Sequence, residues 1–315
     1  MHSSDQIIIN EVGLRDGLQN QPEQVSLDDK LQLIGHLVDA GLRSMEVTSF
    51  VSTKAVPQMA DADALFPRLP NAGEIAYSAL VPNMRGLSRA TAAGVGEIAV
   101  VLSATDTMNR RNINMSLAEA TDVSAQTVTA AKAQGMRAKA YIAVAFTCPF
   151  EGAVAPAQVL GLLEKMRSAG ADEIVIADTI GAAAPLAVKN LLDQALRAAA
   201  PGMLSAHFHD TRGFALANVW AALEVGVRKF DSSLGGLGGC PFSPGASGNL
   251  ATEDLVQLAG QCGLASGISI PELRTAIAFA ESIVKRPIGG RTRPWMEAQD
   301  RRHAAENARS QVSAQ

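Results

Sequence analysis

The sequence predicts an α/β protein built as a (β/α)8 TIM barrel with additional C-terminal helices. Three observations carry that expectation. Eight short strand-like runs alternate with segments of helical periodicity, and alternating β and α elements imply a parallel sheet. The chain has 315 residues, room for the about 250 that eight such units occupy. No Gly-x-Gly-x-x-Gly follows the first strand-like run, which speaks against the rival arrangement, an open doubly wound sheet.

Gln6–Val12 is the first strand, followed by a polar loop, Gly13–Asn20. Leu27–Ala40 repeats apolar residues at helical spacing, with Ser26 as N-cap and Gly41 as stop. Ser44–Ser49 and Glu74–Leu80 are the next strands, then helical Asn83–Ala93 and strand Glu97–Ser103. A long polar segment, Ala104–Ser116, precedes a helix that ends near Gln134. Arg137–Phe146 is strand-like, Pro156–Ala169 helical, Ala171–Asp178 a strand and Pro185–Ala200 a helix. Met203–His209 is the seventh strand, Phe214–Val225 a helix and Val227–Leu234 the eighth strand. Thr252–Cys262 and Pro271–Lys285 close the chain as helices. One barrel spans residues 1–290, and residues 291–315 form a polar tail, read either as a partner-contacting helix or as disordered.

Hydrophobic residues make up 47% of the chain but aromatics only 4%, so aliphatic side chains and alanine must fill the core. The formal net charge of −4 carries no long run of one sign, which argues against a nucleic-acid binder, whose footprint is a basic face. Cysteines 148, 240 and 262 make no paired framework, so a reduced, cytoplasmic setting is expected. No basic segment leads into an apolar core at the N-terminus, and no apolar run reaches the length of a membrane span. Neither secretion nor a membrane partner is expected.

The barrel expectation constrains the chemistry, because such barrels work at the carboxyl ends of their strands. His207 and His209 close strand 7, and side chains at i and i+2 share one face of a strand. Imidazole suits transition metals, while carboxylate and amide oxygens suit harder cations. A His-x-His pair also occurs as packing or as solvated surface, and each acidic residue also reads as a satisfied interior carboxylate. Placement separates the readings. Arg15 and Asp16 follow strand 1, Glu46 and Thr48 end strand 2 on one face, and Asp178 closes strand 6. Cys240 and Asn249 lie in the loop after strand 8, Cys240 within a glycine run that reads as mobile. All fall on one end of the barrel, and neither bland reading predicts that.

Several stretches carry a resemblance. Asn10-Glu11-Val12-Gly13-Leu14-Arg15-Asp16-Gly17-Leu18-Gln19-Asn20 resembles the opening motif of 3-hydroxy-3-methylglutaryl-CoA lyases. The run Asp231–Pro241 with Gly245–Asp254 resembles their signature loop, and Glu46–Val51, Val56–Met59, Cys148–Gly152 and Asp178–Gly181 also match. The resemblance covers Ile8 to Lys285.

It implies a divalent cation, Mg2+ or Mn2+, held by Asp16, His207, His209 and Asn249. It also implies a retro-Claisen cleavage of an acyl-CoA. Arg15 matches the group that stabilises the thioester enolate, and Cys240 the loop thiol that protonates it. Glu46 and Asp178 match supporting acids. Gln19 and Thr48 are expected to touch substrate together with Arg15, and Arg110 and Arg111 are candidates for the CoA phosphates. Asp16, Asp178 and a water held by the cation stand open as the base. A homodimer is implied. Two other functions stay on the page: a synthase condensing acetyl-CoA with a 2-oxo acid, and a catalytically silent CoA-binding barrel. The Gly-Gly-Leu-Gly-Gly-Cys-Pro run favours the lyase. A longer or branched 3-hydroxyacyl-CoA remains open as substrate.

Overall fold

Eight parallel strands close into a barrel in which each strand pairs with the next in sequence and the last pairs with the first. The computed structural model describes residues 6–70, 74–199, 201–239 and 248–302. The strands are β1 (Ile8–Glu11), β2 (Ser44–Ser49), β3 (Ala76–Leu80), β4 (Glu97–Ser103), β5 (Arg137–Ala143), β6 (Glu173–Asp178), β7 (Leu204–Phe208) and β8 (Lys229–Ser232). Closure runs through four in-register pairs, from Ile8 with Lys229 to Glu11 with Ser232. The expected (β/α)8 architecture and its closing helices are borne out.

β5 stops at Ala143 rather than at Phe146, because Val144 has a φ of 49° and gives its N–H to Thr179 Oγ1 (2.8 Å). Outward side chains pack against the helices in one continuous aliphatic core. Inward side chains are mixed. Ala99, Tyr141 and Val175, with Leu80 and Val101, form a small apolar layer. Below it Lys139 pairs with Glu97 (2.9 Å) and Lys229 with Glu173 (3.2 Å). Buried charges of this kind persist only when partnered.

Helix starts follow side-chain chemistry. Ser26 caps Leu27–Asp39 by accepting the Asp29 N–H, and Asn83 caps Met84–Ala92 through Gly86 N–H. Ser116 and Glu119 form a reciprocal capping box on Leu117–Ala133.

Two segments differ from expectation. Ala104–Ser116 is not simply a polar connection, since Asp106–Ile113 is helical. Its signal is missing from the sequence because only Met108 and Asn109 are buried, too few for an apolar stripe. The buried Asn109 amide holds the helix instead, bonding Ser103 N–H and both Ser103 and Thr105 carbonyls. Gly13–Asn20 is not an open loop either, since Gly13–Gly17 forms a π-helical turn, four of whose five residues are buried. In the tail, residues 293–302 are helical and Met296 is buried. Among the described residues no helix is long and apolar enough to cross a membrane.

Candidate active site

Strand register builds the site. Asn10 on β1 pairs with Asp231 on β8, and Asp231 with His207 on β7. In-register neighbours in a sheet point to the same face, so three polar side chains meet inside the barrel. Ser44 Oγ donates to Asn10 Oδ1 (2.8 Å), and Asn10 Nδ2 donates to Asp231 Oδ1 (2.8 Å). Asp231 Oδ2 lies 3.0 Å from His207 Nδ1. That contact keeps a proton on Nδ1 and leaves Nε2 as the free lone pair. Burial disfavours a charged His207, but Asp231 outweighs it and raises the pKa. Burial pushes Asp231 up, and His207 outweighs that in turn, so its carboxyl stays below the usual range.

His209 lies one residue past β7, where the backbone pairs antiparallel with Asn249. Its Nε2 is 3.1 Å from His207 Nε2. Burial, reinforced by His207, lowers its pKa to about 3, so the ring is neutral near pH 7. Gly248 is required beside Asn249. It has a φ of 93°, and a Cβ there would stand 2.3 Å from Gly236 O. Asn249 Nδ2 donates to Asp16 Oδ2 (2.8 Å) and to Leu237 O (3.0 Å). Its Oδ1 is thereby left buried with no hydrogen-bond partner.

Asp16 completes the set. Burial pushes its carboxyl up, but Arg15, both histidines and Asn249 outweigh that and hold it at about 2. Ligand atoms of Asp16, His207 and His209 lie within 4.8 Å of one another. Two imidazole nitrogens, an ionised carboxylate and an orphaned amide oxygen fit a divalent cation of hard or borderline character.

The π-helical turn brings Arg15 to the same place. Arg15 Nε donates to Glu46 Oε1, and Nη1 donates to Asp16 Oδ1 (2.6 Å). Arg15 and Glu46 are both buried. Burial pushes the Glu46 carboxyl above the usual range, and Arg15 offsets only part of that. A fixed cation therefore stands one hydrogen bond from the carboxylate of the metal set.

Two residues of β2 oppose one step of β3 between Glu46 and Thr48, since Glu46 pairs with Ser78 and Thr48 with Ala79. This bulge turns Thr48 off the face of Glu46, and its hydroxyl meets Met59 Sδ at 3.7 Å. Ser49 takes the inward place instead, in register with Leu80 of the inner layer. Its hydroxyl is buried without a partner. Asp178 is buried, and its two oxygens accept the Ala182 and Ala183 N–H groups (2.9 Å each), shaping the loop after β6. Gln19 is half-buried, two residues past the π-helical turn. Arg110 is paired with Asp106 (2.5 Å), and the Arg111 guanidinium lies 4.5 Å from the centre of the Phe150 ring. Cys240 lies outside the described residues. Sequence reading missed Asp231, Asn10 and Ser49. Asp231 had a usable signal, a carboxylate on the strand next to His-x-His.

Fold and site define a class, the (β/α)8-barrel enzymes that hold a divalent cation at the strand ends beside a buried arginine. Within it, the chain belongs to the HMGL-like family, whose model matches residues 6–279. It is 44% identical over 260 residues to the hydroxymethylglutaryl-CoA lyase of Pseudomonas mevalonii, covering 82% of this chain and 86% of that one. The crystal structure of the Bacillus subtilis HMG-CoA lyase superposes with a TM-score of 0.90 at 39% identity, covering 93% of this chain and 98% of that one. An HMG-CoA lyase from Acenitobacter baumannii, solved in complex with coenzyme A and 3-methylmalate, superposes at 0.89 with 37% identity, covering 93% and 96%.

Proposed function

We propose that this chain cleaves 3-hydroxy-3-methylglutaryl-CoA to acetoacetate and acetyl-CoA, using Mg2+ or Mn2+. The observation that carries the reading is the unbroken chain of contacts Glu46–Arg15–Asp16–Asn249 beside the His207–His209 pair. The similar proteins bearing this lyase name support the substrate class.

Asp16, His207, His209 and the Asn249 amide oxygen would hold the cation. When bound, it supplies Lewis-acid polarisation of the substrate oxygens. A base takes the C3 hydroxyl proton, for which Asp16 is the carboxylate beside the two histidines; that C–O bond becomes a carbonyl as the C2–C3 bond breaks, and the electron pair passes into the thioester enolate. Arg15 is the side chain suited to that developing negative charge, because Glu46 and Asp16 fix it before substrate arrives. Asp231 fixes the His207 tautomer. Asp178 acts here by holding its loop. Cys240 is proposed as the acid that returns a proton to C2. Gln19 is proposed to touch substrate from the turn that carries Arg15. The reading also takes the protein as a cytoplasmic homodimer, for which light scattering on purified protein is the check.

The test is a product assay. Purified protein with Mg2+ or Mn2+ is given 3-hydroxy-3-methylglutaryl-CoA, with and without EDTA, and both products are quantified. Release of both in equal amounts, abolished by EDTA, is expected. Metal bound with no release from this substrate would overturn the reading. The Cys240→Ala variant should lose turnover and keep metal.

A further inference from the structure

The segment Ile288–Thr292 follows the last barrel helix and takes no part in the chemistry above. It is nonetheless fastened to the segments after β7 and β8, which carry His209 and Asn249. Gly289 N–H donates to Gly235 O (3.0 Å), at the base of the glycine run that leads to Cys240. Gly290 N–H donates to Glu253 Oε1 (2.5 Å), while Glu253 Oε2 accepts Gly235 N–H (3.0 Å). Arg291 and Thr292 N–H groups donate to the two oxygens of buried Asp254 (2.7 and 2.9 Å). Glycine is needed at 290, where a Cβ would lie 2.5 Å from the Asp254 carboxylate. Asp254 stands five residues after Asn249.

The Arg291 side chain then crosses to the other ligand loop. Its Nε donates to Asp210 Oδ2, and its guanidinium lies over Gly213, with Nη2 at 3.0 Å from where a Cβ would be. Asp210 directly follows His209. Its N–H donates to Gly248 O (3.1 Å), next to Asn249, and its Oδ1 accepts Ala215 N–H (3.1 Å). One arginine therefore ties the backbone that carries His209 to the helix that begins three residues after Asn249.

We propose that Arg291 is a positioning residue for the metal centre: through Asp210 it sets the spacing between His209 and Asn249, and so the affinity for the cation. The inference rests on the metal site proposed above. It separates from a purely structural role because the backbone bonds to Glu253 and Asp254 survive loss of the side chain. What is lost is an ion pair whose arginine is 58% and whose aspartate is 16% exposed, and pairs open to solvent on one side contribute modestly to global stability.

The experiment is Mn2+ titration of the full-length protein, read by electron paramagnetic resonance, with the unfolding temperature measured in parallel. Arg291→Ala should weaken Mn2+ binding roughly three- to tenfold, less than the loss of a group that touches a ligand, with the unfolding temperature nearly unchanged. Arg291→Lys should recover part of the affinity. Asp210→Asn, which keeps the acceptor for Ala215, should match Arg291→Ala, and combining the two should add nothing further. Added NaCl should weaken wild-type binding more than that of the variants. Wild-type Mn2+ affinity in Arg291→Ala and Asp210→Asn would overturn the inference and leave the metal site standing. No binding by the wild type would overturn the site itself. If Arg291→Ala does not fold, Asp210→Asn decides alone.

Discussion

Asp231 Oδ2 lies 3.0 Å from His207 Nδ1, and Asp231 Oδ1 accepts from Asn10, so both oxygens of one buried carboxylate serve to aim one imidazole. The pair sits in register on adjacent strands. It is not adjustable by loop motion, and it decides which ring nitrogen faces a cation.

Asp231→Asn should therefore weaken Mn2+ binding by about 10- to 100-fold near pH 8, the usual consequence of losing a group that orients a ligand. The pH dependence has a definite sign. A cation competes with the proton on His207, and Asp231 raises that pKa. Wild-type affinity should fall as pH drops through a value above the ordinary 6.5 of histidine. In the variant the fall should begin at lower pH. Titrations from pH 5.5 to 8 with the same affinity and the same onset in both proteins would remove Asp231 from this role.

Arg15 contacts Glu46 and Asp16 through different nitrogens. Lysine offers a single ammonium and cannot serve both in that geometry. Arg15→Gln should lower kcat by about 10²- to 10³-fold, the scale for loss of one preorganised donor to a developing anion. Its metal affinity at pH 8 should fall too, because Arg15 bonds the ligand Asp16, but by less than kcat does. It should weaken more than the wild type at pH 5, because Arg15 is the main group that holds Asp16 at about 2. Stopped-flow turnover beside Mn2+ titration checks both. A fall in affinity at pH 8 as large as the fall in kcat would mean that Arg15 serves the metal rather than the reaction.

Much of this was legible in the chain. The alternation of short apolar runs with helical spacing fixes a parallel barrel, and the barrel then places Arg15, Asp16, His207 and His209 at one end. Asn249 needed the motif, since after Gly248 it reads as an ordinary turn residue. The bulge in β2 was not legible, because Ser44–Ser49 is a continuous strand-former and nothing in Glu46-Val47-Thr48 marks an extra residue. Simple alternation therefore assigned Thr48 to the face that Ser49 occupies. The helix Asp106–Ile113 was hidden for a related reason. One buried amide organises it, and a periodicity search does not register that.

The bulge yields a paired prediction. Ser49→Ala removes a buried, unpartnered hydroxyl on the face of Glu46, and should lower kcat/KM by about three- to tenfold, the size of one hydrogen bond. Thr48→Ala removes a hydroxyl directed at Met59, and should leave kcat/KM within about twofold while costing about 1 kcal/mol of stability. Steady-state kinetics on both variants distinguishes the two positions. The reverse ranking would restore Thr48 to the substrate face.

Glu11 gives the sharpest dependence on pH. Its Oε1 accepts the N–H groups of Gly13 and Leu234 and its Oε2 faces Thr252 Oγ1, so it joins the Arg15 turn to the base of the glycine run. Full burial pushes its carboxyl from 4.5 up to about 7, against the pull of those donors. The sign follows from proton counting. Between pH 4.5 and about 7 the folded protein holds a proton that the unfolded chain has released, so stability falls as pH rises across that window. The total loss from this group is at most roughly 3 kcal/mol. Glutamine resembles the protonated acid: Oε1 can accept the same two N–H groups while Nε2 donates to Thr252 Oγ1, which can turn its own proton to Ser232 Oγ, 2.8 Å away. Glu11→Gln should match the wild type at pH 5 and be the more stable protein at pH 8, with a flatter profile between. Urea unfolding at a series of pH values measures this, and a variant that is destabilised equally at pH 5 and pH 8 would show that Glu11 is ionised throughout.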